Sequence, residues 1–214
     1  MEIPMPEIDP DSSETCALLE RIARGDRPAL ERLLARHRPA IHAFVALHLD
    51  PRLRARLDPS DVVQDAQMEV VRRMDDFLAN RPMPFHVWLR KKTYERLLNL
   101  RRDHLARARR SVSRELAWPD RSSLLLARPL LAGGPSPSQQ LEARELAQRL
   151  GRAVAGLAEA DREILLLRHA EDLSFREIAC LLDIEPAAAR KRFGRALIRL
   201  QNVLIEQGLL ESRP

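Results

Sequence analysis

The segment Ser174–Leu200, SFREIACLLDIEPAAARKRFGRALIRL, constrains the fold of this chain more than any other stretch. Phe175, Ile178, Ala179 and Leu182 recur at i, i+3, i+4 and i+7, which gives a short helix one buried stripe. Asp183-Ile184 breaks that pattern and Glu185-Pro186 restarts it, with proline in the first helical turn, where its missing N–H is no loss. The restarted helix carries Arg190, Lys191, Arg192, Arg195 and Arg199, with no acidic residue between Pro186 and Leu200. Phe193, Ala196, Leu197 and Leu200 form its apolar face. A short helix, a tight turn and a basic second helix make a helix-turn-helix suited to the major groove of DNA.

Charge elsewhere points to a second polyanion surface. The chain has 36 Lys+Arg against 31 Asp+Glu, a net +5. That balance hides a block between Arg90 and Arg114 with ten basic and two acidic residues (Glu95, Asp103). The first twenty residues, by contrast, hold six acidic residues and no basic one. One arginine-rich helix face is as often plain solvated surface as a binding site; two blocks, one inside a helix-turn-helix, favour nucleic acid.

Seven glycines and 4% aromatic residues argue against a strand-rich or dinucleotide-binding fold, while Leu, Ala and Arg favour helix. The expectation is all-α: two small helical domains joined by a flexible linker, the C-terminal one a helix-turn-helix. Two cysteines, Cys16 and Cys180, are too few for a disulfide framework. No apolar run approaches the roughly 20 residues of a membrane span, and the acidic start is unlike a signal peptide, so a cytoplasmic protein is expected.

Apolar periodicity divides the chain. Residues 1–14 read as an acidic leader without regular structure. Helices follow from near Thr15, from the Asp26 cap, and from Asp58-Pro59-Ser60-Asp61 through Val62, Val63, Ala66, Val70, Met74, Phe77 and Leu78. Arg81-Pro82-Met83-Pro84 stops that series, and the next helix runs from near Phe85 into the basic block. Breakers such as Trp118-Pro119-Asp120 and Gly133-Gly134-Pro135 mark 115–137 as a linker, able to span about 80 Å when extended. Helical spacing resumes over 138–208, leaving 209–214 as a tail.

Two stretches carry a family resemblance. One is DPSDVVQDAQMEVVRRMDDF (Asp58–Phe77) with the following PFHVWLRKKTYERLLNLRRDH (Pro84–His104); the other runs from Leu157 to Leu200. Together they resemble the extracytoplasmic-function (ECF) sigma factors of bacterial RNA polymerase. The resemblance implies a region 2-like domain over 15–114, for polymerase binding and recognition and melting of the −10 element. It also implies a region 4-like domain over 138–208 for the −35 element. It makes the partners the polymerase core (clamp helices of the largest subunit, flap of the second-largest), promoter DNA and an anti-sigma factor, with no cofactor.

Within that resemblance Asp61, Gln64 and Asp65, at i, i+3 and i+4 on one helix face, meet the clamp helices. Trp88, Arg90, Lys91, Lys92, Tyr94, Asn99, Arg101 and Arg102 serve the −10 element. Phe85 and Trp88 also fit a core face, so Tyr94, lying among charges, is the better stacking ring. Glu185, Ala187, Ala188, Arg190, Lys191, Arg192 and Arg195 serve the −35 element, where Arg suits guanine, Glu cytosine and Ala a thymine methyl. The chain departs from the family pattern at Gln67 (commonly aromatic), at Tyr94-Glu95 (usually Arg-Asn), at Asn99 (usually Asp) and at Asp183 (usually Gly). Asp tolerates left-handed backbone better than most residues, so the turn is expected to survive.

No catalytic constellation appears: there is no glycine-rich phosphate loop, paired-Cys motif or acid–base pair. His37, His42 and His48, at spacings of five and six, match no metal motif. The expected protein is not an enzyme and carries no metal. The alternative is a stand-alone helix-turn-helix regulator binding duplex DNA as a dimer, which leaves the DVVQDA helix and the first basic block without a role. The acidic leader suggests a cover over a basic face, so that deleting residues 1–12 would strengthen DNA binding by the free protein.

Overall fold

The computed structural model describes residues 10–49, 51–54, 56–108 and 149–209, and all regular structure among them is helical. The chain forms two compact units that divide between Glu115 and Leu116. The expected linker at 115–137 lies outside the described residues, as do residues 1–9 of the leader, 138–148 and 210–214.

In the first unit α1 (Ser13–Ala23) begins where the Ser12 hydroxyl accepts the Thr15 N–H, and Gly25, at φ +87°, turns the chain after it. Asp26 then caps α2 (Arg27–His48) through Ala29 N–H and also pairs with Arg21 at 2.6 Å. A short α3 (Pro51–Arg54) leads to α4 (Pro59–Arg72), capped by Asp58 through Ser60 N–H with Pro59 in the first turn. The helix expected to run unbroken through Leu78 instead breaks at Arg73 (φ −104°, ψ 8°), and α5 (Met74–Asn80) follows. Val70, Met74 and Phe77 are all buried on both sides of the break. The apolar series keeps its phase there, so periodicity had no signal to report. Arg81 ends α5 in left-handed backbone, φ 37°.

α6 (Phe85–Ala108) completes this unit; α4 packs against both α2 and α6, and α1 packs on α2. The core is made by Leu33, Phe44 and Val45 from α2, Val62 and Val63 from α4, and Phe85 and Leu89 from α6. Fully burying such side chains contributes about 1.5–3 kcal/mol each.

The second unit contains a helical stretch at 149–155, then α7 (Glu159–His169), α8 (Phe175–Leu182) and α9 (Pro186–Glu206). The C-terminal half of α9 closes on the first stretch through Leu150, Ala153 and Leu204, with Leu200, Val203 and Leu209 against them. α7 packs on both α9 and α8. A capping box starts α8: the Ser174 hydroxyl accepts Glu177 N–H at 3.2 Å, and the Glu177 carboxylate accepts Ser174 N–H at 2.7 Å. This S-x-x-E signal stands in the sequence and sharpens the helix start. Asp183 takes left-handed backbone (φ 57°, ψ 46°) and Ile184 N–H bonds the Ala179 carbonyl, which turns the chain into α9 with Pro186 in its first turn.

Candidate nucleic-acid and protein interfaces

The turn geometry decides what α9 presents. Glu185 is its N-cap residue and is exposed, with no hydrogen bond from its side chain to the helix. Ala187, Ala188, Arg190, Lys191 and Arg195 are exposed, while Ala189 and Ala196 are fully buried. At 3.6 residues per turn, Lys191 lies near the centre of the exposed face and Arg190 and Arg192 on its two flanks. The flanks differ. Arg192 is half-buried, its guanidinium 4.0 Å from the Glu163 carboxylate of α7, so it fastens α9 to α7 rather than standing on the open face. Arg199 is likewise drawn to α7, 2.5 Å from the buried carboxylate of Asp161. Two members of the basic run are thus structural ion-pair partners. Leu197, expected on the apolar face, is 39% exposed and Ile198 59%.

The basic helix of the first unit is built differently. Phe85, Leu89, Thr93 and Leu97 repeat at i+4 and are all buried, and Val87, Trp88 and Tyr94 widen the buried side. Trp88 stacks on Phe77 with centroids 4.5 Å apart. Tyr94, 4% exposed, meets the His48 ring edge-on at 6.4 Å. The expectation that Tyr94 stacks on a base is therefore corrected, and Trp88 is likewise a core ring. Charged neighbours in sequence misled the reading: Tyr94 is three residues from Leu97, and helical spacing turns it inward.

Among the polar residues of α6 expected at the −10 element, Arg90, Lys91, Lys92 and Arg101 are half-buried, and Asn99 and Arg102 are exposed. Lys92 pairs with Glu95 at 2.8 Å, Arg96 pairs with Asp65 at 2.7 Å, and Arg102 donates to the Asn99 side chain.

On α4, Asp61, Gln64 and Asp65 are exposed as one stripe. The stripe continues one and two turns further in Met68 and Val71, 48% and 46% exposed. These two apolar positions were missed, although Met68 at i+4 from Gln64 and Val71 at i+7 were a legible signal. A shallow groove of about 330 Å³ runs along Gln64, Gln67, Met68 and Val71. Gln67, where the family commonly has an aromatic residue, donates its side-chain amide to the Leu34 carbonyl of α2 at 3.3 Å. A second groove of about 450 Å³, between α4 and α6, contains the Asp65–Arg96 pair.

One structural element comes from the leader. The Asp11 carboxylate accepts Phe85 N–H at 2.6 Å and His86 N–H at 3.2 Å, and contacts the His86 ring at 3.0 Å. It caps α6, whose own sequence supplies Pro84 at that position. Burial opposes the Asp11 charge, but the His86 side chain and the two backbone donors outweigh it and hold the carboxyl below its ordinary value. His37, packed edge-on against Phe85 at 5.2 Å, is held below its ordinary value by burial, against the nearby Asp11 charge and helped by Arg36, His86 and Arg90. Residues 11–14, expected in an unstructured leader, are thus part of the folded unit. A deletion of residues 1–12 removes this cap together with Ser12, so it no longer isolates an acidic cover.

Among the described residues no group of three His, Cys, Asp or Glu side chains converges as a metal site, and no helix is long and apolar enough to cross a membrane.

The described residues thus form a helix-turn-helix in one unit and an exposed acidic, amide-bearing and apolar helix stripe in the other. Comparisons with known proteins narrow this. Residues 147–200 match the family "Sigma-70, region 4". The chain is 30% identical over 187 residues to the RNA polymerase sigma factor CnrH of Cupriavidus metallidurans, covering 87% of this chain and 92% of that protein. It is 27% identical over 191 residues to the ECF RNA polymerase sigma-E factor of Escherichia coli, covering 86% and 91%. Its fold is similar to that of CnrH in complex with the cytosolic domain of CnrY (TM-score 0.57, 23% identity, covering 91% of this chain and 99% of that one). It is also similar to the sigma factor RpoE of Bartonella quintana in complex with the anti-sigma factor NepR (TM-score 0.55, 20% identity, covering 81% and 95%). The chain belongs to the ECF sigma factors of bacterial RNA polymerase. Its function is to direct the core enzyme to a subset of promoters at transcription initiation.

Proposed function

We propose that the two units divide this work between two surfaces of unlike chemistry. Asp61, Gln64 and Asp65, extended by Met68 and Val71, dock on the clamp helices of the polymerase largest subunit. Carboxylates and amides there meet basic side chains while the apolar pair adds buried area. Glu185, Ala187, Ala188, Arg190, Lys191 and Arg195 enter the major groove at the −35 element. In α6 the half-buried and exposed polar residues Arg90, Lys91, Lys92, Asn99, Arg101 and Arg102 follow the −10 strand, without the two rings. The single observation that carries the reading is the exposed basic face of α9, with Lys191 at its centre, behind a turn made by left-handed Asp183 and the Ile184 N–H bond to the Ala179 carbonyl.

The protein makes no phosphodiester bond itself, works in the cytoplasm, and is held in check by an anti-sigma protein, as the complexed relatives suggest. The stand-alone regulator reading leaves the α4 stripe without a role. The test is multi-round transcription by core polymerase with and without this chain on fragmented genomic DNA of the source bacterium. New discrete start sites, lost with Asp61→Lys, support the reading; an active core with no new start sites sinks it. For Asp65 the clean variant is the charge swap Asp65→Arg with Arg96→Asp. The swap keeps the internal pair, so continued loss of transcription assigns Asp65 to the polymerase and recovery assigns it to α6.

A further inference from the structure

We propose that Phe175 is a specificity-positioning residue, whose ring holds the Arg190 guanidinium for base reading by α9. The proposal rests on the reading that the first turns of α9 face the −35 element. In the sequence Phe175 is one more apolar position of α8. In the structure it is only half-buried, at the first residue of that helix, and two arginines lie over its ring. The Arg168 guanidinium is 5.5 Å from the ring centroid and that of Arg190 is 5.7 Å away.

The two arginines are not equivalent. Arg168 is committed locally, donating to the Leu173 carbonyl at 2.9 Å and facing Asp172 at 3.6 Å. Arg190 lies on the exposed N-terminal part of α9, where recognition helices place their base contacts. The ring itself is fixed. Phe193, one turn along α9 from Arg190, meets Phe175 edge-on at 5.4 Å, and His169 packs against Phe193 at 5.4 Å. An aromatic shelf drawn from α7, α8 and α9 therefore supports a cation on the flank of the reading face.

A cation–π contact orients a guanidinium through its charge and plane, leaving recognition of guanine to the N–H fork that bonds O6 and N7. Holding the long arginine side chain near one geometry before DNA arrives lowers the ordering cost on binding. It also penalises bases that need the fork elsewhere. The two flanks of α9 thus face different groups: Arg192 the Glu163 carboxylate, Arg190 the Phe175 π surface.

The experiment uses holoenzyme assembled from core polymerase and the full chain, transcribing a barcoded promoter library randomised across the −35 element. The variants are wild type, Arg190→Ala, Phe175→Leu, Phe175→Tyr and the double variant Phe175→Leu/Arg190→Ala. Arg190→Ala should flatten the base preference at one position. Phe175→Leu should weaken that same position by about fivefold, the size a partly exposed cation–π contact supports. Phe175→Tyr should keep the preference, and the double variant should be no flatter than Arg190→Ala alone. If Phe175→Leu does not fold, Phe175→Met makes the same comparison.

The positioning role is overturned if Arg190→Ala flattens a position that Phe175→Leu leaves intact, if Phe175→Leu weakens all positions equally, or if the two effects add. If Arg190→Ala changes no preference, Arg190 is not a reader and the proposal falls with that assignment. A wild type with no preference anywhere in the element removes the reading of α9 itself.

Discussion

The basic runs of α6 and α9 look alike in sequence and are used differently. In α9 the buried positions Ala189, Ala196 and Leu204 hold one side, and the other carries the exposed cations of the first turns, followed by exposed Leu197 and Ile198. In α6 the buried positions include Phe85, Val87, Trp88, Leu89, Thr93, Tyr94 and Leu97, more than half the circumference, and cations fill the gaps between them. Two of those cations also end on carboxylates, Lys92 on Glu95 and Arg96 on Asp65. The count of basic residues thus overstates the charge α6 can offer DNA. In α9 the correction applies to Arg192 and Arg199, which pair with Glu163 and Asp161.

The largest expected effect tests the buried half of the comparison. Trp88→Ala should destabilise the first unit by about 3–5 kcal/mol, the usual cost of deleting a buried Trp, measured by chemical denaturation. Trp88→Ala with unchanged stability and lost promoter melting would restore the ring to a base-stacking role.

Next comes Arg199→Ala, which leaves the Asp161 carboxylate buried without its partner and should cost about 1–3 kcal/mol of stability in the second unit. Wild-type stability with weakened promoter binding would return Arg199 to the DNA face.

The functional half of the comparison sets Lys191→Ala against Lys92→Ala. Lys191 stands at the centre of the open face, so its loss should weaken promoter binding by holoenzyme and lower the salt slope by about one. Lys92, already paired, should change either quantity by much less. Equal effects would erase the distinction between the helices.

The smallest effect is acid sensitivity of the Asp11 cap. His37 sits below its ordinary 6.5 in the folded chain, so as pH falls through that value the unfolded chain takes up the proton first and stability declines. Asp11 sits below its ordinary 3.8, so its contribution is present above that value and is lost as pH falls through the lower, folded one. Both act in the same direction. Thermal unfolding of wild type should therefore weaken on moving from neutral to mildly acidic buffer, and His37→Gln should flatten that response. A deletion of residues 1–9, which spares the cap, is the variant that tests whether the leader covers a basic face.

Much of this protein was legible in its sequence because the deciding forces are local. Helical spacing found the helix-turn-helix, Asp26 and Asp58 marked helix starts, and Asp183 was read as a residue able to hold left-handed backbone. The exposed stripe of Asp61, Gln64 and Asp65 followed from i, i+3 and i+4 spacing alone. The rest depended on groups that meet only after the chain folds. Periodicity assigns a residue to a side of a helix but does not say how wide the buried side is, so Tyr94 went to the surface when the packing of α2 and α4 around α6 takes it inside. Net charge counts a guanidinium without its partner, and Glu163 and Asp161 reach Arg192 and Arg199 from a helix some thirty to forty residues away in sequence. The cap of α6 comes from Asp11, 74 residues before the N–H group it accepts. Backbone propensity and spacing act within a few residues; desolvation, ion pairing and capping in trans act between elements, and those are what the tertiary structure decided.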